Sequence, residues 1–176
     1  MKGVKSMKWN WKKAKSKIDK IGVWKVSEPL VLELSGADLL TGEDTLLLSR
    51  EQRKYKRDWW INYIEPKGHK KNKKESCFAA YVNGFEGCGI GPTKNKRLAF
   101  YAVRPALTIN TIKGSYKIGD RFRIKDYEFE IISNNKAWLY RQDIGDSSFD
   151  SNFKDYKHSD VKKMIDNWYE ELIKEN

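Results

Sequence analysis

Two histidines and two cysteines are the whole supply of imidazole and thiol in this chain, and their positions support little chemistry. His69 stands in a run of lysines, where the surrounding positive field suits an ordinary surface side chain. His158 immediately precedes a serine that reads as a helix cap. A zinc centre needs about four ligands at close spacing, and no Cys and His spacing here provides it. Cys77 and Cys88 read as two small buried thiols, with a pair facing each other across a hairpin as the alternative. Carboxylates are frequent between residues 143 and 160 (Asp143, Asp146, Asp150, Asp155 and Asp160), without the tight alternate spacing of a calcium loop. There is no G-x-S-x-G elbow, no phosphate loop ending in Gly-Lys-Ser/Thr, and no G-x-G-x-x-G between a strand and a helix. Gly84, Gly87, Gly89 and Gly91 precede a loop and a strand, so a helix N-terminus cradling phosphate is unsupported. The expectation is a protein that is not an enzyme and holds no cofactor or metal.

Cationic and aromatic side chains offer more. The formal net charge is +11. Residues 1–74 hold 19 Lys and Arg against 9 Asp and Glu, and residues 75–176 hold 16 against 15. A concentrated positive field attracts polyanions, whether nucleic acid, an acidic protein face or an anionic membrane surface. The competing explanation is a solvated, lysine-rich surface. Trp9, Trp11, Trp24 and Tyr55 lie among these cations, and single-stranded nucleic acid is held by basic grooves with flat stacking faces. Trp24 reads as core. The residues expected to contact nucleic acid are Lys8, Trp9, Trp11, Lys12, Lys13, Arg53, Lys54, Arg57, Lys67, Lys70, Lys71, Lys73 and Lys74.

The elements that must position them follow from periodicity and turn chemistry. Residues 1–20 form a basic leader. Val23–Val26 and Leu30–Leu34 read as strands, Ser35–Gly36 and Thr41–Gly42 as turns, and Thr45–Leu48 as a short buried strand. Ser49 caps a short helix through Lys56. Trp59–Ile64, Phe78–Val82 and Leu98–Val103 read as strands. Asn83–Gly84 is a hairpin signal, and Pro66–Lys74 is a basic loop. Arg121–Ile124, Tyr127–Ile132 and Ala137–Arg141 form a meander, and Asp143–Lys157 a polar loop. Ser159 caps a final helix to about Lys174, in which Val161, Met164, Ile165, Trp168 and Leu172 recur on one face. The expected fold is α+β, mostly antiparallel sheet with a C-terminal amphipathic helix. Residues 21–112 form one half and residues 113–176 the other, with the boundary near 110–114 and one compact domain as the alternative. No stretch reaches the roughly 20 apolar residues of a membrane span. No apolar core follows the charged start, so a secretory signal is not expected and the cytoplasm is the expected location.

Three segments in order carry a resemblance: Asp58-Trp59-Trp60-Ile61-Asn62, Ala79-Ala80-Tyr81-Val82-Asn83-Gly84 and Ala102-Val103-Arg104-Pro105-Ala106-Leu107. Over about residues 38–110 the chain resembles a domain of bacterial and phage-associated proteins with a WWLRSP … AAYVNSDG … GVRPAL signature. That domain is similar to the C-type-lectin-like fold of formylglycine-generating enzymes and phage receptor-binding proteins. The resemblance implies a fold that is C-type-lectin-like in part, with Trp59, Trp60, Arg104 and Pro105 as its determinants. Asn62 stands where the family has Arg, and Cys77 and Cys88 do not map onto reactive cysteines, so no activity is carried over. Physically, the paired tryptophans would lie on opposite faces of a strand, and Arg104 would tie strand ends through carbonyls.

Three functions are in play. The first is a basic binder of nucleic acid or a nucleoprotein, extending to a phage or mobile-element inhibitor of a host nuclease. The second is a lectin-like module gripping protein or glycan through an exposed patch at Trp59, Trp60 and Tyr63. The third is an enzyme of unrecognised type, built on converging carboxylates with Arg104 or His158.

Overall fold

Apolar alternation and local caps set most of the elements. The computed structural model describes residues 7–10, 31–62, 79–93, 99–150 and 156–174. The chain divides into two units that each draw on separate stretches: residues 1–38, 105–142 and 166–176 in the first, and 39–104 with 143–165 in the second.

The first unit is built on a six-stranded sheet in the order β1-β2-β7-β10-β9-β8. Its strands are β1 (Met7–Asn10), β2 (Val31–Leu39), β7 (Pro105–Lys113), β8 (Arg121–Ile124), β9 (Tyr127–Ser133) and β10 (Lys136–Leu139). Along β2, Leu32 and Leu34 are fully buried at every second position, the period of a sheet with one covered face. The meander read from the sequence is present. Lys125, at φ 54°, turns the chain between β8 and β9, and the β9–β10 ladder carries an irregularity at Lys136/Ala137. Phe122 stacks on Phe129 at 5.4 Å. The Trp138 indole donates to the buried Glu130 carboxylate at 3.2 Å, which satisfies both polar groups away from water. The last turns of the C-terminal helix cover this sheet: Trp168 meets Tyr127 edge-on at 5.4 Å and Phe129 at 6.1 Å.

The second unit carries a five-stranded sheet in the order β11-β6-β3-β4-β5. Here β3 is Trp59–Ile61, β4 Ala79–Asn83, β5 Cys88–Thr93, β6 Tyr101–Ala102 and β11 Asp146–Ser147. β3 runs antiparallel to β4 and parallel to β6. Trp59-Trp60, Ala79-Ala80-Tyr81-Val82 and Ala102, one piece from each of the three resembling segments, thus lie on neighbouring strands. Two short helices precede β3: α1 (Gly42–Leu46) and α2 (Arg50–Arg53).

The C-terminal helix α3 (Asp160–Ile173) starts where expected. Ser159 Oγ accepts the Lys162 amide at 3.1 Å. Val161, Ile165, Tyr169 and Leu172 are its buried residues, and Met164 and Trp168 are half-buried. Tyr169, which is not among the recurring positions named from the sequence, is buried as well.

Several elements differ from expectation. Thr45–Leu48 is not a strand. Thr41 closes a capping box, its hydroxyl accepting the Asp44 amide at 3.1 Å and its own amide donating to Asp44 at 2.9 Å. That cap turns the run into α1 and leaves Leu46 71% and Leu47 61% exposed. Ser35–Gly36 lies within β2 and is not a turn. The helix after Ser49 ends at Arg53 because Lys54 is already extended. Gly89 and Gly91, read as preceding a strand, lie within β5 itself. The loop after Asp143 contains β11, the buried Ser148, Phe149 and Asp150, and a 3-10 turn at Tyr156–His158. The expected strand Val23–Val26 and loop Pro66–Lys74 lie outside the described residues. Among the described residues, no helix is long and apolar enough to cross a membrane.

Candidate functional site

In the second unit, the segment Ser49–Arg57 brings cations, a buried aromatic cluster and the β4–β5 turn together. Ser49 starts α2 with a second capping box, completed by Gln52 at 3.1 and 2.8 Å. The turn after β4 docks on this segment. The Tyr55 amide donates to the Gly84 carbonyl at 2.8 Å, and the Gly84 amide to Asp58 at 3.1 Å. A Cβ on Gly84 would sit 1.9 Å from the Arg57 carbonyl oxygen, so only glycine permits this approach.

The basic side chains expected to face a ligand are absorbed here to different degrees. Arg53 donates to the carbonyls of Gly87 at 2.9 Å and Thr45 at 3.2 Å, which makes it a staple between α1 and the turn. Lys54 pairs with Glu51 at 2.8 Å on the surface, and that hydrogen bond and charge hold the Glu51 carboxyl below its ordinary range. Arg57 pairs with Asp146 and also donates to the Phe100 carbonyl at 3.3 Å. Of the remaining expected residues, Lys8 and Trp9 lie on β1, the edge strand, at register positions opposite Glu33 and Leu32. Trp11, Lys12, Lys13, Lys67, Lys70, Lys71, Lys73 and Lys74 lie outside the described residues.

Trp59 and Trp60 are both fully buried, so the exposed patch expected of them is absent. Tyr63 lies outside the described residues. As adjacent strand residues they point to opposite faces, and each finds a carbonyl: Trp59 donates to Arg53 at 3.2 Å and Trp60 to Ser147 at 2.8 Å. Trp60 continues an aromatic row, with Tyr101 at 4.6 Å and Phe149 at 5.3 Å, and Tyr101 in turn meets Tyr81 at 4.8 Å. On the other side Arg104, 1% exposed, has its guanidinium carbon 4.2 Å from the Tyr55 ring centre and 5.0 Å from that of Trp59. The Tyr55 hydroxyl donates to Asp143. This is a cation held between ring faces with a carboxylate at the edge, an arrangement that rigidifies a fold. Pro105 is buried at the first position of β7, where its missing amide costs no ladder bond.

Burial, followed by the Asp143 hydrogen bond, pushes the Tyr55 phenol well above its ordinary range. Burial alone raises Tyr169 to about 12. A folded state that holds phenol protons more tightly than the unfolded chain gains stability below the unfolded value of about 10. It loses that gain as pH rises through the folded values. The denaturant midpoint is therefore expected to hold level up to about pH 10 and to fall as the pH approaches the Tyr169 value of about 12. Tyr55→Phe should flatten part of that fall. A midpoint unchanged across that range would contradict the assignment.

Charge is distributed unevenly between the described frame and the rest. The described residues hold 18 Lys and Arg against 18 Asp and Glu, and the remaining residues hold 17 against 6, the whole of the +11. Two of the basic stretches, residues 63–78 and 94–98, each sum to +3. By register Ile61 lies opposite Ala80, and Ala79 opposite Thr93. The chain thus leaves β3 and β5 for both stretches at one end of the five-stranded sheet. Lys94, Lys96 and Arg97 escaped the sequence reading because the near-neutral total of residues 75–176 conceals them.

Among the described residues, no group of three or more His, Cys, Asp or Glu side chains is placed to hold a metal ion. No protein-family model, curated protein or solved structure matches this chain.

Proposed function

We propose that this chain is a non-catalytic binding protein for nucleic acid or a nucleoprotein, acting in the cytoplasm. One observation carries the reading: a frame whose charges cancel sends two stretches of +3 each from one end of a single sheet. A cationic surplus attracts phosphate backbones and releases their counterions. The C-type-lectin-like character of residues 38–110 is part of the same proposal, supported by the adjacency of β6, β3 and β4. The lectin-like alternative has lost two of the three aromatics expected to form its exposed patch, since Trp59 and Trp60 are buried.

The test is a salt titration of binding to a fluorescein-labelled oligothymidylate, read by anisotropy. Engagement of six to ten phosphates should lower the affinity by about three orders of magnitude between 50 and 200 mM salt. A response that stays flat over that range overturns the proposal.

A further inference from the structure

We infer that the face formed by Leu46, Leu47 and Phe85 joins two copies of this chain in a two-fold dimer. This dimer goes beyond the nucleic-acid reading and does not depend on it. Leu46 and Leu47 stand largely in water, and Phe85 is 75% exposed. Single exposed apolar side chains are ordinary, whereas grouped ones mark interaction sites. These three are grouped. One guanidinium, that of Arg53, donates to the Thr45 carbonyl at 3.2 Å and to the Gly87 carbonyl at 2.9 Å. Thr45 precedes the two leucines and Gly87 stands two residues after Phe85. A Cβ on Gly87 would lie 2.4 Å from the Arg50 carbonyl oxygen, so the β4–β5 turn is pressed against α2 beside the end of α1. Phe100, 61% exposed, precedes β6, across β3 from this turn.

The backbone under these side chains is fixed. The capping box of α1 sets the turn that carries Leu46 and Leu47, and the buried Leu48 anchors its end. The Asn83 side chain accepts the Phe85 and Glu86 amides at 3.1 and 3.3 Å, and Arg50 donates to the Glu86 carbonyl at 2.8 Å. Side chains on a braced backbone lose little freedom when a partner docks. Three such side chains present on the order of 400 Å² of apolar surface, the size of a functional patch. A stable interface takes about 800 Å² from each partner, and the polar residues flanking the leucines supply the remainder.

Charge selects a second copy as the occupant. Glu43 and Asp44 lie before the leucines and sum to −2, while Arg50, Glu51, Arg53 and Lys54 lie after them and sum to +2. Glu86, whose carbonyl Arg50 holds, lowers the basic end to +1. An acidic end, an apolar centre and a basic end thus follow one another. In a two-fold contact residue i meets residue j while j meets i. An axis at the leucines therefore lays the acidic end of each copy on the basic end of the other. A polyanion, or a protein face of one sign, complements only one of these ends. The +11 of the whole chain repels a second copy, and this face, at −1 in sum, contributes little to that repulsion.

The experiment is sedimentation equilibrium of the full chain after nuclease treatment, which removes any dimer bridged by nucleic acid. Protein concentrations up to about 100 μM reveal a dissociation constant in the micromolar range. The parent should sediment as a dimer. Leu46→Asp combined with Leu47→Asp should weaken it on the order of a hundredfold, as loss of central contacts does in an interface. Thermal melts should show that variant folded, since both leucines are exposed. Glu43 and Arg50 are the exposed charges chosen from the two ends. Glu43→Arg alone and Arg50→Glu alone should each weaken the dimer about tenfold, because a pair turns repulsive at two symmetric places. The two changes together should restore the parent affinity to within about twofold, the sign of a direct coupling. A parent that stays monomeric overturns the dimer and leaves the face to another partner. A leucine variant as dimeric as the parent, or a combined charge variant no stronger than either single one, overturns it as well. None of these outcomes touches the salt titration that tests the nucleic-acid reading.

Discussion

Converting Lys67, Lys70, Lys71, Lys73 and Lys74 together to Gln is expected to lower oligonucleotide affinity by about three orders of magnitude at 0.1 M salt. Each lysine that meets a phosphate contributes about 0.7 to the slope of log affinity against log salt for a single strand. Five such contacts account for a slope change of roughly 3.5, and at a tenth molar this is the stated loss. The substitution removes five of the 17 Lys and Arg that lie outside the described residues. Stability should therefore be nearly unchanged while binding collapses, and denaturation and anisotropy measured on the same sample separate the two. An unaltered slope would show that these lysines are merely solvated and would move the interface elsewhere.

Arg104→Ala should destabilise the fold by about 3–5 kcal/mol, as large-to-small changes at fully buried ring-sized side chains do. Arg104 is among the largest fully buried side chains of the described residues, in the company of Trp59, Trp60 and Trp138. Its loss would open a void between the Tyr55 and Trp59 rings, remove both cation–ring contacts, and leave the Tyr55–Asp143 pair without its neighbouring positive charge. Against a total stability of about 5–15 kcal/mol, that is enough to shift the denaturant midpoint far or to abolish folding at growth temperature. Arg104→Lys should recover only part of the loss, because an ammonium cannot lie flat between two rings. A midpoint shift below about 0.5 kcal/mol for Arg104→Ala, the range of ordinary surface changes, would refute a structural role for the cluster.

These two expectations separate residues that the sequence placed in a single argument. Lysines and arginines of the first half all read alike as positive charge. In the folded chain Arg53 spans two carbonyls and Arg57 meets Asp146, whereas Lys56 stays exposed. Phe85 and Phe100 carried no sequence signal, since an exposed phenylalanine beside a turn is spelled like a buried one. Of the aromatic residues that did attract notice, Trp59 and Trp60 are interior.

By itself the sequence determined what depends on near neighbours and on sums. Ser159 followed by a 3.6-residue apolar period is sufficient to specify the last helix, and alternation with turn residues is sufficient for the β8–β10 meander, because caps and periodicity act within a few residues. The surplus of positive charge is likewise a property of composition. Only the tertiary structure decided which cations are absorbed and where the aromatics go. Tyr55 meets Asp143, Arg57 meets Asp146 and Trp60 meets Ser147 across 88, 89 and 87 residues of chain. Contacts at such separations leave no local pattern. They form when the strands of one sheet are assembled in an order, β11-β6-β3-β4-β5, that the chain does not follow.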